Sequence, residues 1–146
     1  MDKSILSSIE ATMKSDEGTS LARLLNALSL LHEALGEGSW VGLYLYDEKS
    51  GTLNLGPFQG SPACYSIKPG KGVVGTCFGA KKPLYVDDVS QFPGYISCDP
   101  IVKSEVCFPL FAGENVIGIL DIDSPKLDGL KEDLTTLMAI AHLFEA

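Results

Sequence analysis

Long apolar runs are missing from this sequence: stretches such as VIGIL at 116–120 fall far short of the ~20 residues that a membrane-spanning helix needs. The N-terminus shows no charged-then-apolar leader pattern, so a cytoplasmic location is expected. Positive charge is scarce. Lys and Arg number 11 against 19 Asp and Glu, and the net charge of −8 repels phosphate backbones and anionic lipid, which argues against nucleic acid and membranes as partners. The four cysteines, Cys64, Cys77, Cys98 and Cys107, contain no C-x-x-C pair, so a zinc site has little support. In a reducing cytosol they are not expected to form a structural disulfide set either. The glycine run KPGKGVVGTC lacks the G-K-[ST] ending of a nucleotide P-loop. There are only two histidines, His32 and His142, both on predicted helices at opposite ends of the chain. A Cys-His catalytic pair thus lacks its base, and both histidines are assigned surface or helix-packing roles. No internal repeat or low-complexity segment occurs.

What remains is an ordinary globular composition, 45% hydrophobic and 21% charged, and a length that suits one domain over residues 1–146. The segment TSLARLLNALSLLHEALGEG (19–38) places Leu21, Leu24, Leu28, Leu31 and Leu35 on one helical stripe, with a Thr/Ser start and Gly36 as its stop. A shorter amphipathic helix precedes it, carrying Ile5, Ile9 and Met13. The period then changes to two. WVGLYLYD (40–47) and TLNLGPF (52–58) flank the turn EKSG and predict a β-hairpin, and EVCFPLF (105–111) and VIGILDID (116–123) flank AGEN and predict another pair of strands. The closing GLKEDLTTLMAIAHLFEA puts Leu130, Leu134, Leu137, Met138, Ala141 and Phe144 on one helical face. Helices at both ends around a central antiparallel sheet predict an α+β sandwich. Residues 59–103, rich in Gly, Pro and Asp, form a long middle of the kind that usually carries function.

Strand parity sorts the side chains. Trp40, Gly42, Tyr44 and Tyr46 share one face and Val41, Leu43 and Leu45 the other, the aliphatic one being suited to the helices. Asp121 and Asp123 lie opposite Leu120 and Ile122, and Glu105 lies opposite Val106 and Phe108. If those two strands pair, three carboxylates gather beside the aromatics on the non-helical face. Such a cluster calls for an ammonium group, a metal ion or a raised pKa; the alternative is that Asp121 and Asp123 cap the strand end and receive N–H groups from DSPKLDG. KGVVGT reads as the start of a short helix whose N–H groups suit a carboxylate, or simply as a turn. Cys107 is read as a core thiol on Glu105's face and Cys77 as helix packing. Cys64 and Cys98 differ: Pro62, Gly94 and Pro100 hold them in turns, where a thiolate meets solvent.

The run LGPFQGSPACYSIKPGKGVVGT, then VDDVSQFPGYISCD, SEVCFPL and VIGILDIDSP, resembles the free methionine-(R)-sulfoxide reductases, a branch of the GAF domains, over most of residues 39–124. The resemblance implies a GAF-like central antiparallel sheet with the N- and C-terminal helices on one face and a loop-covered pocket on the other. It implies reduction of free L-methionine-(R)-S-oxide, with Cys98 attacking and becoming a sulfenic acid, Cys64 resolving it as a Cys64–Cys98 disulfide, and a thioredoxin-like reductant reopening that bond. Trp40 and Tyr44 then match the aromatic wall of the substrate site and Glu105, Asp121 and Asp123 its carboxylates, with Asp123 favoured as the acid. No metal or organic cofactor is implied, and a homodimer through the terminal helices is expected by the same likeness. Two departures stand out: Val74 replaces a cysteine common in the family's GVCG, and Tyr95 replaces the histidine of its PGHIACD. A rival reading is a GAF module that senses a small molecule without chemistry.

Overall fold

The structure, a computed structural model, describes residues 1–145. Helices α1 (Ser4–Lys14) and α2 (Ser20–Leu35) come first. Strands β1 (Trp40–Asp47) and β2 (Thr52–Gln59) form the first hairpin, followed by β3 (Ser66–Ile67), α3 (Gly72–Ala80) and β4 (Leu84–Val86). Strands β5 (Ser104–Ala112) and β6 (Asn115–Ser124) form the second hairpin, and α4 (Leu134–Leu143) closes the chain. The six strands make one antiparallel sheet in the order β3-β2-β1-β6-β5-β4. This is the α+β, GAF-like arrangement expected above.

Local chemistry sets the boundaries. The Thr19 hydroxyl accepts the Ala22 N–H at 3.0 Å and starts α2. Gly36, at φ +93°, ends it in a conformation that suits residues without a Cβ. Helices α1, α2 and α4 cover one face of the sheet, where Ile9, Leu28, Leu31, Leu137 and Ile140 meet Val41, Val106, Leu120 and Ile122 in the main core. Among the described residues no helix is long and apolar enough to cross a membrane.

Three expected core positions lie outside, among them Leu45, 44% exposed towards the end of β1. Leu21 is 57% exposed although seven residues bring it back to within about 20° of Leu28, so its place along the helix axis, and not its rotation, leaves it uncovered. Met138 is also exposed, and Ile140 takes its place. The buried set Leu137, Ile140 and Ala141 centres about 100° away from Met138 around α4. The long middle is more structured than expected: besides the predicted helix it holds β3 and β4, strands of two and three residues, too short to leave a period-two signal.

Candidate active site

The register of the sheet brings the site together. Glu105 pairs with Asp123 and Cys107 with Asp121 across β5 and β6, while Trp40 pairs with Asp123 and Gly42 with Asp121 across β1 and β6. Their side chains stand on the face away from the main core. That face is the floor of a cavity of about 280 Å³, lined by Trp40, Tyr44, Glu105, Asp121 and Asp123 below and by Val74, Tyr95 and Cys98 among the residues around it. The Trp40 ring stacks on Phe58 at 5.4 Å between centroids and faces Tyr44 at 6.2 Å. It lies over Gly42, where a Cβ would stand 2.6 Å from the ring, so the glycine makes room for the indole.

The aromatic pair does more than line a wall. Trp40 Nε1–H donates to the Ser61 carbonyl at 2.9 Å, and the Tyr44 hydroxyl donates to the Cys64 carbonyl at 2.9 Å. The strand β1 therefore holds the loop that carries the first cysteine. The second loop is pinned by the Tyr95 N–H to the Phe92 carbonyl and by Asp99, whose carboxylate accepts the Ile101 N–H at 3.1 Å. Cys64 and Cys98 are joined by a disulfide across these two loops, with Cα atoms 5.6 Å apart and a sequence separation of 34. Cys98 is exposed and Cys64 half-buried.

The carboxylates are buried together, and this governs their chemistry. Burial first, then the charges of Asp121 and Asp123, push Glu105 well above the usual carboxylate range. Burial, then Asp121, does the same to Asp123. Asp121 is also raised by burial, but hydrogen bonds from Glu105 and from Cys107 favour its charged form. Three such groups do not ionise together: the first to ionise holds the protons of the others to higher pH. One carboxylate oxygen, Asp123 Oδ1, is buried with no hydrogen-bond partner among the described residues. It marks a position that a ligand donor would satisfy.

The strand-cap alternative fails on the geometry. The loop after β6 is held by serines: Ser124 Oγ accepts the Lys126 N–H at 3.2 Å and Ser104 Oγ accepts the Gly129 N–H at 3.2 Å. The aspartates point into the cavity instead. Glu105, Cys107 and Asp121 have donor atoms within 4.8 Å of one another, a grouping of metal-ligand types. The Cys107 sulfur lies 3.3 Å from Asp121 Oδ1 and 3.6 Å from Glu105 Oε2, so its one proton is within reach of either carboxylate. Cys77 is buried, bonds the Lys82 carbonyl at 3.3 Å and is pushed up to about 12, first by burial and then by Asp121. Cys77 and Cys107 are free thiols.

His142 takes a surface role, 2.7 Å from Glu145. His32 packs at the end of α2, with Nε2 3.1 Å from the Ser39 carbonyl, but it also lines the cavity, so the surface or helix-packing role expected of it is incomplete. No sequence signal joins His32 to the site. The link arises because the turn after α2 brings Ser39 and Trp40 straight back past the helix end.

A profile of the GAF domain matches residues 19–146. The free methionine-R-sulfoxide reductase of Escherichia coli is 44% identical over 108 residues, 74% of this chain and 64% of that protein. The Saccharomyces cerevisiae protein of the same name is 37% identical over 133 residues, 83% of this chain and 74% of that protein. Among solved structures, that of the Neisseria meningitidis free methionine-R-sulfoxide reductase in complex with its substrate aligns with a TM-score of 0.89 at 37% identity, covering 99% of this chain and 89% of that one.

Proposed function

This chain belongs to the free methionine-R-sulfoxide reductases, oxidoreductases of the GAF-domain fold, and we propose that it reduces free L-methionine-(R)-S-oxide through Cys98 and Cys64. The observation that carries the reading is the Cys64–Cys98 bridge, whose Cys98 lines a cavity with three protonatable carboxylates on its floor. In the reduced enzyme the Cys98 thiolate attacks the sulfoxide while a carboxylic acid, Asp123 in this reading, delivers a proton to the sulfoxide oxygen. Methionine leaves, its sulfur reduced by two electrons, and Cys98 keeps the oxygen as a sulfenic acid, Cys–S–OH. The Cys64 thiol condenses with it, releasing water and forming the disulfide. A thioredoxin-like dithiol then reopens the bond and takes the disulfide onto itself.

Selectivity for the free amino acid follows from charge. The α-ammonium of the substrate supplies the cation that Asp121 lacks, which leaves Asp123, with its bare Oδ1, for the sulfoxide oxygen. The substrate carboxylate fits the first turn of α3, where Gly72 and Val73 line the cavity and present backbone N–H groups. Trp40 and Tyr44 enclose the methyl end. A cavity of about 280 Å³ suits an amino acid better than a nucleotide, since ligand cavities start near roughly 300 Å³.

The test is NADPH consumption when the chain is mixed with thioredoxin, thioredoxin reductase and substrate. Consumption is expected with the free (R)-sulfoxide and not with a peptide-embedded or (S)-sulfoxide. Comparable rates with the latter two, or none with the first, would overturn the reading.

A further inference from the structure

Cys107 is a buried thiol with no part in the redox cycle just described, yet it sits under the carboxylates with its sulfur 3.3 Å from Asp121 Oδ1 and 3.6 Å from Glu105 Oε2. The four residues form a two-by-two block on the floor, Glu105 beside Asp123 and Cys107 beside Asp121. Only Asp123 lies outside the thiol's reach, and its Oδ1 is the oxygen left without a partner. We propose that Cys107 is a positioning residue of the reductase: its S–H donates to Asp121, holds that carboxylate as the anion that receives the substrate ammonium, and so leaves the transferable proton with Asp123 and Glu105.

The direction follows from hydrogen-bond chemistry. A donor to the ionised form favours ionisation, and of the two carboxylates within the thiol's reach Asp121 is the nearer. The thiol itself stays protonated because burial first, and then Asp121 and Glu105, push it well above the usual thiol range. The other titratable groups facing the block are Asp123 on β6, Cys77 on α3, Tyr44 on β1, and Tyr95 and Asp99 on the Cys98 loop. Both tyrosines are raised, chiefly by burial, and stay neutral at physiological pH; the proton order is therefore settled among the carboxylates and the thiol.

The inference rests on the proposed reductase activity, and its test separates the two. In Cys107→Val the donor is lost, Asp121 holds its proton to higher pH, and the acid limb of kcat/KM moves up by about one pH unit, a roughly tenfold loss on that limb. Cys107→Ser keeps a donor and restores the wild-type limb. Superimposable profiles for wild type and Cys107→Val, or equal displacement in the Ser and Val variants, would overturn the inference. The second measurement needs no turnover and no folded variant: the infrared S–H stretch of the wild-type chain should shift to higher frequency as the block is protonated by acid, while an S–H band independent of pH would overturn it. A chain that fails to reduce the sulfoxide but shows the shifting band sinks the reductase reading and leaves the thiol–carboxylate bond in place.

Discussion

On the helix side of the sheet, β1, β5 and β6 present Val41, Leu43, Val106, Phe108, Leu120 and Ile122; on the other side the same strands present Trp40, Tyr44, Glu105, Cys107, Asp121 and Asp123. Both sets are largely buried. The first gains free energy from burial at about 25 cal/mol per Å² of apolar surface, whereas the second buries three acids that disfavour their own ionisation. Neighbouring residues on one strand thus serve opposite ends, one stabilising the fold and the other holding groups in a state ready for a ligand. Substitutions on the two faces should separate stability from activity.

The largest effect is expected at Cys98. Because this residue is exposed on a loop, Cys98→Ser should abolish reduction of the free sulfoxide, by at least about 10³-fold, with a melting curve matching that of the reduced wild type. Near-normal turnover in the coupled assay would remove Cys98 from the mechanism. Across the sheet, Ile122→Ala should do the reverse. The side chain is fully buried in the main core, and its loss costs about 3 kcal/mol, or roughly 10 °C in Tm, while KM for the sulfoxide stays within about twofold at temperatures where the protein is folded. If calorimetry shows an unchanged Tm, the helix-side face is not where the stability lies.

Next come the acids. Asp123→Asn should lower kcat about 10²-fold, whereas Asp121→Asn should mainly raise KM, because one loses a proton donor and the other an anion. Stability against pH gives an independent reading. An unfolded aspartate titrates near about 3.9, and the folded Asp123 titrates well above that. Between the two values the native state binds more protons, so stability is greatest at the acid end of that window and falls as pH rises through it. In Asp123→Asn the fall should be shallower. Denaturant midpoints at several pH values, on the disulfide form without substrate, would contradict this if both proteins showed the same slope.

Much of this contrast was legible in the sequence. Period two in WVGLYLYD and VIGILDID put the aliphatics on one face and the carboxylates on the other, and the pairing of β5 with β6 delivered the cluster that parity alone made conditional. The cysteine turns were legible too, through Pro62, Gly94 and Pro100. What parity does not carry is contact between segments about 20 residues apart. That Trp40 and Tyr44 hold the Cys64 loop through the Ser61 and Cys64 carbonyls follows from where that loop folds back. His32 entered the site by a shorter route, the turn after α2 that returns Ser39 to it. Cys107 was placed on the right face, but its bond to Asp121 needed the cross-strand register. Leu21 and Met138 erred for different causes, an uncovered helix end and a face counted one residue too wide.

The smallest expected effect concerns Cys77, on the helix where this chain carries Val74 in place of a thiol common in the family. Val74 lines the cavity, and Cys77 lies three residues on, a rotation of roughly 300° and a rise of about 4.5 Å. That offset turns the thiol toward the Lys82 carbonyl, where it is sealed from solvent and held protonated at neutral pH by a value near 12. A protonated, buried thiol is a poor partner for a sulfenic acid, and Cys64 already spans to Cys98. Cys77→Ala should therefore keep turnover within about twofold and cost on the order of 1 kcal/mol in stability. Cys64→Ser, by contrast, should complete one turnover and then stall with the thioredoxin system. Peptide mapping of the wild type after a single round of substrate without reductant should show Cys64 linked to Cys98, with Cys77 and Cys107 recovered as thiols after denaturation. A dominant Cys77–Cys98 peptide would mean that α3 rotates or unwinds during the cycle, and the division between a stable face and a reactive one would then have to be redrawn to include that helix.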